Sequence, residues 1–235
     1  MSTLLITGAN SSIASEYIKK VATNYDKIIM HYGHRRNRID ELLEIYGSKI
    51  IPKCADLSKK DEVEKLVEDL KGYEIDEFLH LAAPGLRHMR LLKGSIEEYE
   101  TEMQVVCWSF LSICKSILPG MIKREEGRIL AVLTEYMVTY QPPYLSHYIT
   151  AKFALLGLIK CIATEYATKG IRANGISPGM IETDFISKLP QYIIDDNAKA
   201  TPKGRNLLPV DLVPTINYLL SRKSLAINGE NILLK

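Results

Sequence analysis

Tyr148 and Lys152 stand four residues apart in the stretch Tyr148-Ile149-Thr150-Ala151-Lys152. On a helix that spacing puts both side chains on one face, one turn apart. The run that follows, Phe153 to Ile159, holds few polar residues, so the helix reads as well buried. An ammonium in an apolar wall is costly unless its charge acts on something. Beside a phenol it favours the phenolate and lowers the phenol pKa from its ordinary ~10. That is one way to build a general acid/base for neutral pH. A surface tyrosine and lysine at helical spacing carry the same signature, so the pair needs a setting before it implies chemistry.

Part of the setting lies at the start of the chain. Thr3 to Thr7 is an apolar run suited to a buried strand. It ends at Gly8-Ala9-Asn10-Ser11-Ser12-Ile13-Ala14, after which Tyr17, Ile18, Val21 and Ala22 recur at helical spacing. Strand, small-residue turn and helix are the context of a phosphate-binding turn, in which backbone N–H groups and the positive end of a helix face the anion. Only Gly8 is glycine. Ser12 and Ala14 stand where glycines are usual; they stay small, and Ser11 and Ser12 add hydroxyl donors. An ordinary capped turn fits the motif about as well.

The pattern then alternates. Strands are expected at Lys27–His31, Ile50–Cys54, Phe78–Leu81, Arg128–Leu133, Arg172–Ile176 and Asn231–Leu234. Helices are expected at Arg38–Tyr46, Lys59–Leu70, about Ile96–Lys123 with a kink at Pro119, from Tyr148 onward, and at Pro209–Ser221. Such alternation implies an α/β fold of one domain over residues 1–235, a doubly wound parallel sheet of Rossmann type with helices on both faces. Ligands of such sheets bind outside the carboxyl ends of the strands. Gly8, the Asp56 loop, Ala82-Ala83-Pro84, Thr134-Glu135 and Pro178-Gly179 all fall at those ends. The segment 182–206, with Pro190, Pro202 and Gly204, is the least regular and reads as a mobile excursion over the site.

Composition narrows the function classes. A chain of 235 residues with 46% hydrophobic and 25% charged residues is ordinary for a soluble globular protein. A net charge of +2 argues for neither nucleic acid nor membrane as partner. Cys54, Cys107, Cys114 and Cys161 form no CxxC pair and read as free buried thiols rather than as disulfides or a metal site. The apolar start Leu4-Leu5-Ile6 is too short for a signal core, and no uncharged apolar run looks long enough to span a bilayer. A cytoplasmic protein is expected.

Five motifs in order carry a resemblance. They are Thr7 to Ala14, Asp56-Leu57, Leu81-Ala82-Ala83-Pro84-Gly85, Tyr148-Ile149-Thr150-Ala151-Lys152, and Ile171 to Thr183 with its Pro178-Gly179. Through them the chain resembles the short-chain dehydrogenases/reductases over nearly its whole length, and 3-oxoacyl reductases among them. The ending Ile227 to Ile232 looks like that family's last strand. The resemblance implies that Tyr148 passes a proton to or from the substrate oxygen while hydride moves at the nicotinamide. It implies that Lys152 hydrogen-bonds the nicotinamide ribose and lowers the Tyr148 pKa. Gly8 and the turn Asn10, Ser11, Ser12, Ile13 would carry the pyrophosphate. Asp56 and Leu57 would border the adenine, and Ala82 and Ala83 the adenosine ribose. Pro178, Gly179, Ile181 and Thr183 would hold the nicotinamide. The family's helices also pair between subunits, so a homo-oligomer, tetramer or dimer, is expected through Val105–Leu118 and Phe153–Ala167.

Three positions depart from the family. Its catalytic serine usually lies thirteen residues before the tyrosine, where this chain has Glu135; aligned on the strand Arg128–Leu133, the position falls on Thr134. Thr134 could bind the substrate carbonyl, whereas an ionised Glu135 would repel a developing oxyanion. The relay asparagine is replaced by Val106, and Leu81-Ala82-Ala83 lacks the fourth-strand asparagine.

The second-strand segment Met30-His31-Tyr32-Gly33-His34-Arg35-Arg36 has no acid to bind a ribose 2′-OH and has two arginines. Arginine forks match a 2′-phosphate, so NADP(H) is expected over NAD(H), with Arg35 in the site; a solvated basic loop is the plain alternative. His147 reads as a packing or substrate-edge residue. Tyr136, Met137, Tyr140, Tyr144 and Met180 suggest a fairly apolar substrate, a small-molecule or carrier-bound carbonyl, or else core and subunit contacts. The expected activity is reduction of a carbonyl to an alcohol. The alternative is a dinucleotide-binding or scaffolding protein of the same fold that has lost catalysis.

Overall fold

A strand buried along its whole length, β1 (Thr3–Thr7), lies third in a seven-stranded sheet. The computed structural model describes residues 2–187 and 189–235. The other strands are β2 (Lys27–Tyr32), β3 (Ile50–Cys54), β4 (Glu77–His80), β5 (Gly127–Val132), β6 (Ile171–Pro178) and β7 (Asn231–Leu234). All six neighbouring pairs are parallel, in the order β3-β2-β1-β4-β5-β6-β7. Successive side chains of a strand point to opposite faces, and here both faces are buried. Leu5, Ile29, Phe78 and Ile129 belong to one core, and Leu4, Ile6, Ile28 and Leu130 to the other.

Helices cover both faces, as the alternating sequence requires. The first core is closed by α3 (Lys60–Leu70), α5 (Ser109–Lys123) and α6 (Ser146–Glu165); the second by α1 (Ser12–Val21), α2 (Asn37–Tyr46) and α8 (Pro209–Leu220). The expected strands and helices are all present, with ends displaced by at most two residues where they differ.

Two elements differ from expectation. The run Ile96–Lys123 continues through Pro119, which lies inside α5. Its pitch changes at an unexpected π-helical turn, Gln104–Trp108, between α4 (Ile96–Met103) and α5. There the Val105 carbonyl accepts from Ser109 Oγ at 2.6 Å and the Val106 carbonyl faces His80 Nε2 at 3.1 Å. The segment 182–206 carries a ten-residue helix, α7 (Gln191–Ala200); Lys188 within that segment lies outside the described residues.

One reading from composition, that of the cysteines, is corrected, and one long helix bears on another. By length and composition the run Ile96–Lys123 is long and apolar enough to cross a membrane; half of its apolar window is buried in the fold, where Phe110, Ile113, Cys114 and Ile117 pack in the first core. Of the four cysteines, all free, Cys107 and Cys114 are buried but Cys54 and Cys161 are exposed.

Candidate active site

Gly8 sits at φ +67°, and a Cβ on it would lie 2.9 Å from the backbone of Ala82. Glycine is what allows β1 to turn tightly against the end of β4. Ser11 then caps α1, accepting from the Ala14 amide at 3.2 Å. The first turn of α1 has no acid, and the Ser12 hydroxyl is buried with no hydrogen-bond partner among the described residues. A helix start with open amides, positive polarity and an unpaired hydroxyl suits a phosphate. Asn10 is held differently: its amide donates to Asn37 Oδ1 at 3.0 Å and accepts from the Arg38 amide at 3.0 Å. It braces the turn against α2.

A cavity of about 740 Å³ runs from this turn along the carboxyl ends of the strands. Every residue assigned to catalysis or to the cofactor by the resemblance, with Arg35, lines it. Arg35, Asp56 and Leu57 lie at the β2–β3 end; Gly8, Asn10, Ser11, Ser12, Ile13, Ala82 and Ala83 lie along the middle. Thr134, Tyr148, Lys152, Pro178, Gly179, Ile181 and Thr183 lie at the β5–β6 end. Arg36 does not share the site with Arg35. It reaches Asp40 at 2.6 Å and lies 5.7 Å from the Tyr32 ring centroid. Arg38, which sequence reasoning passed over, bonds to Asp184 at 2.7 Å and to the Asn10 carbonyl at 3.1 Å.

His31 was also missed as a site residue. It is buried at the end of β2. Its Nδ1 accepts from the Gly8 amide at 3.3 Å, while its Nε2 donates to the Ala55 carbonyl at 2.9 Å. Burial lowers its pKa, which favours the neutral ring this pattern needs. Nothing in a strand pattern distinguishes such a histidine from any other core residue.

At the other end, Tyr148 and Lys152 are both buried on α6. Lys152 Nζ donates to the Val132 carbonyl at 2.7 Å and stands 5.7 Å from the Tyr148 ring centroid. The expected lowering of the Tyr148 pKa is not what this geometry gives. Burial is the largest influence and raises it, with Tyr136 and Glu102 adding; the nearby Thr134 side chain works the other way. Burial likewise brings Lys152 down, to about 8, against the opposing pull of Glu102.

Thr134 is buried at the end of β5, beside Tyr148. Glu135 lines the cavity too, with its carboxylate 3.3 Å from where a Cβ on Gly179 would be. Burial raises its pKa and the Lys235 charge opposes that rise. The hydroxyl next to the phenol is therefore that of Thr134.

Apolar residues wall this end. Phe185 lies 5.9 Å from Tyr148, ring to ring, and Tyr148 packs in a small cluster with Leu86, Leu145, Ile149 and Ile186. Of the five residues expected to shape the pocket, Tyr136 and Met180 line the cavity. Met137 is buried in the first core, Tyr140 is 97% exposed, and Tyr144 is turned to Arg90 and His88. His147 is buried against Tyr99, with a ring separation of 6.2 Å, as a packing residue would be.

Known proteins share this arrangement of chain. A family model described as enoyl-(acyl carrier protein) reductase matches residues 8–234. The chain is 29% identical over 233 residues to the uncharacterized oxidoreductase YmfI of Bacillus subtilis, covering 97% of this chain and 95% of that one. It is 27% identical over 232 residues to the 3-oxoacyl-[acyl-carrier-protein] reductase FabG of Thermotoga maritima, covering 97% and 94%. A solved 3-oxoacyl (acyl-carrier-protein) reductase from Agrobacterium tumefaciens C58, with NADP bound, superposes at a TM-score of 0.88 and 21% identity, covering 99% of this chain and 92% of that one. At that identity the superposition shows the shared fold.

Proposed function

This chain belongs to the short-chain dehydrogenase/reductase family of oxidoreductases, and from that premise we propose that it reduces a carbonyl to an alcohol with NADPH. The observation that carries the reading is the meeting of Tyr148, Lys152 and Thr134 in the same cavity as the Gly8 turn. The unpaired Ser12 hydroxyl and the backbone approach at Gly8 support a dinucleotide there.

The residues divide the work as follows. Gly8, Ser11, Ser12 and Ile13 would take the pyrophosphate on backbone amides and hydroxyls. Arg35 would meet the 2′-phosphate. Asp56 and Leu57 would border the adenine, Ala82 and Ala83 the ribose, and Pro178, Gly179, Ile181 and Thr183 the nicotinamide. Bound NADPH supplies the hydride. Tyr148, kept protonated by burial, gives its phenolic proton to the substrate oxygen, and Thr134 donates a hydrogen bond to that same oxygen. Lys152, fixed by the Val132 carbonyl, holds positive charge beside the phenol as the proton leaves.

The apolar wall of Phe185, Ile186 and Leu86 favours an acyl substrate, carrier-bound or free. The exposed Trp108 and Phe153 support pairing of α5 and α6 with a second copy; light scattering at micromolar concentration should return a dimer or tetramer. The test of the activity is NADPH oxidation with a panel of 3-oxoacyl thioesters and free ketones. Tight NADPH binding with no oxidation by any of them would instead favour a dinucleotide-binding protein without catalysis.

A further inference from the structure

Glu102, in the last turn of α4, is 2% exposed, and its Oε1 is enclosed without a hydrogen-bond partner among the described residues. A buried carboxylate without partners is costly in either form, more so when ionised. Thr101 and Val105, on either side of it in the chain, line the cavity that holds Lys152. α4 lies against the start of α6, where Tyr99 hydroxyl and Ser146 Oγ meet at 2.7 Å. Lys152 Nζ has one hydrogen bond among the described residues, to the neutral Val132 carbonyl. Its charge therefore needs a counter-charge, and Glu102 is a buried carboxylate with an open oxygen on the helix packed against α6.

We infer that Glu102 is a positioning residue of the site, a buried counter-charge that acts through Lys152 and keeps its ammonium charged at neutral pH. The inference deepens the catalytic reading of Lys152 and rests on it for its functional meaning. The groups around the pair are few. Tyr148 and Cys107 lie on the Lys152 side, Arg87 acts on Glu102, and His80 feels the Lys152 charge. Burial raises the Glu102 pKa and lowers that of Lys152, so the two titrate close together and influence each other. The carboxylate takes on charge in the range where the ammonium would otherwise lose its own.

The test reads the lysine itself, so it needs no substrate. In protein labelled with ¹⁵N-lysine, the Lys152 Nζ resonance, assigned by its loss in Lys152→Met, is followed against pH. In Glu102→Gln, which keeps shape and removes charge, the Lys152 titration should move down by roughly one pH unit or more, the scale of a close opposite charge. Glu102→Asp should restore most of the shift. An unchanged or raised midpoint in Glu102→Gln, with thermal midpoint and circular dichroism intact, overturns the inference. A wild-type turnover in Tyr148→Phe would instead overturn the catalytic reading and leave the NMR result standing.

Discussion

Arg38 and Asp184 join at 2.7 Å, tying α2 to the turn that follows β6. The same guanidinium holds the Asn10 carbonyl at 3.1 Å, so one side chain links the Gly8 turn to the segment that brings Phe185 onto Tyr148. Its ion pair is half in solvent, with side chains 25% and 61% exposed, and pairs of that kind contribute about 0–1 kcal/mol. Asp184→Asn should thus leave the thermal midpoint nearly unchanged. Its effect should show in exchange, as NADPH release up to about five-fold faster in stopped-flow fluorescence.

Tyr148→Phe keeps the ring and its packing and removes the proton. Turnover should fall by roughly 10²–10⁴-fold, the usual worth of a positioned acid, with NADPH affinity nearly intact. Thr134→Val should follow it downward, whereas Glu135→Gln should cost little, because the Glu135 carboxylate faces Gly179. Lys152 loses its charge at about 8, below the raised Tyr148 phenol. The rate of reduction should therefore hold at lower pH and decline as pH rises through about 8. Steady-state kinetics against pH, beside coenzyme titration, check all three variants.

Coenzyme preference should rest on Arg35 alone. Arg35→Ser should weaken NADPH binding by roughly 1–3 kcal/mol, the scale of charge-assisted hydrogen bonds, and leave NADH unaffected. Arg36→Ser should change neither, since Arg36 is engaged with Asp40 and Tyr32 outside the cavity. Equal loss in both variants, by fluorescence titration, would contradict the assignment.

His80 is fully buried between Thr7 Oγ1 at 2.7 Å and the Val106 carbonyl at 3.1 Å. Burial, with the nearby Lys152 charge, lowers its pKa to about 3. The unfolded ring takes up a proton near its ordinary ~6.5, so the unfolded chain binds more protons between those values. Stability should be full above about 6.5 and should fall with acid by about 1.4 kcal/mol per pH unit for this one ring. His80→Gln should flatten that limb in urea titrations run from pH 7 to pH 4.

Much of this was legible in the chain because the chemistry is local. The order of strands and helices follows from periodicity, and Tyr148 and Lys152 meet because a helical turn makes them meet. What was not legible depends on distant partners. α7 has no buried residue, so no apolar period announced it. The π-helical turn has no local signal, and its loosened carbonyls are taken by Ser109 and by His80, the latter on β4. The Tyr148 pKa was misjudged because the sequence shows the nearby ammonium but not how completely both groups are enclosed. The choice between Thr134 and Glu135 turned on side-chain direction at the end of β5.

The Gly8 turn carries a consequence for how freely this stretch tolerates change. A side chain at Gly8 would demand both a left-handed backbone and space already filled by Leu81 and Ala82, two objections that no single neighbour can relieve. Ser12 meets neither, and its neighbour Ser11 needs only an oxygen to cap the helix. If residues 8 to 12 were randomised together and folded, NADPH-retaining clones were selected, the survivors should be nearly invariant at position 8. They should carry Ser, Thr, Asp or Asn at position 11, and a wider alphabet of small residues at position 12.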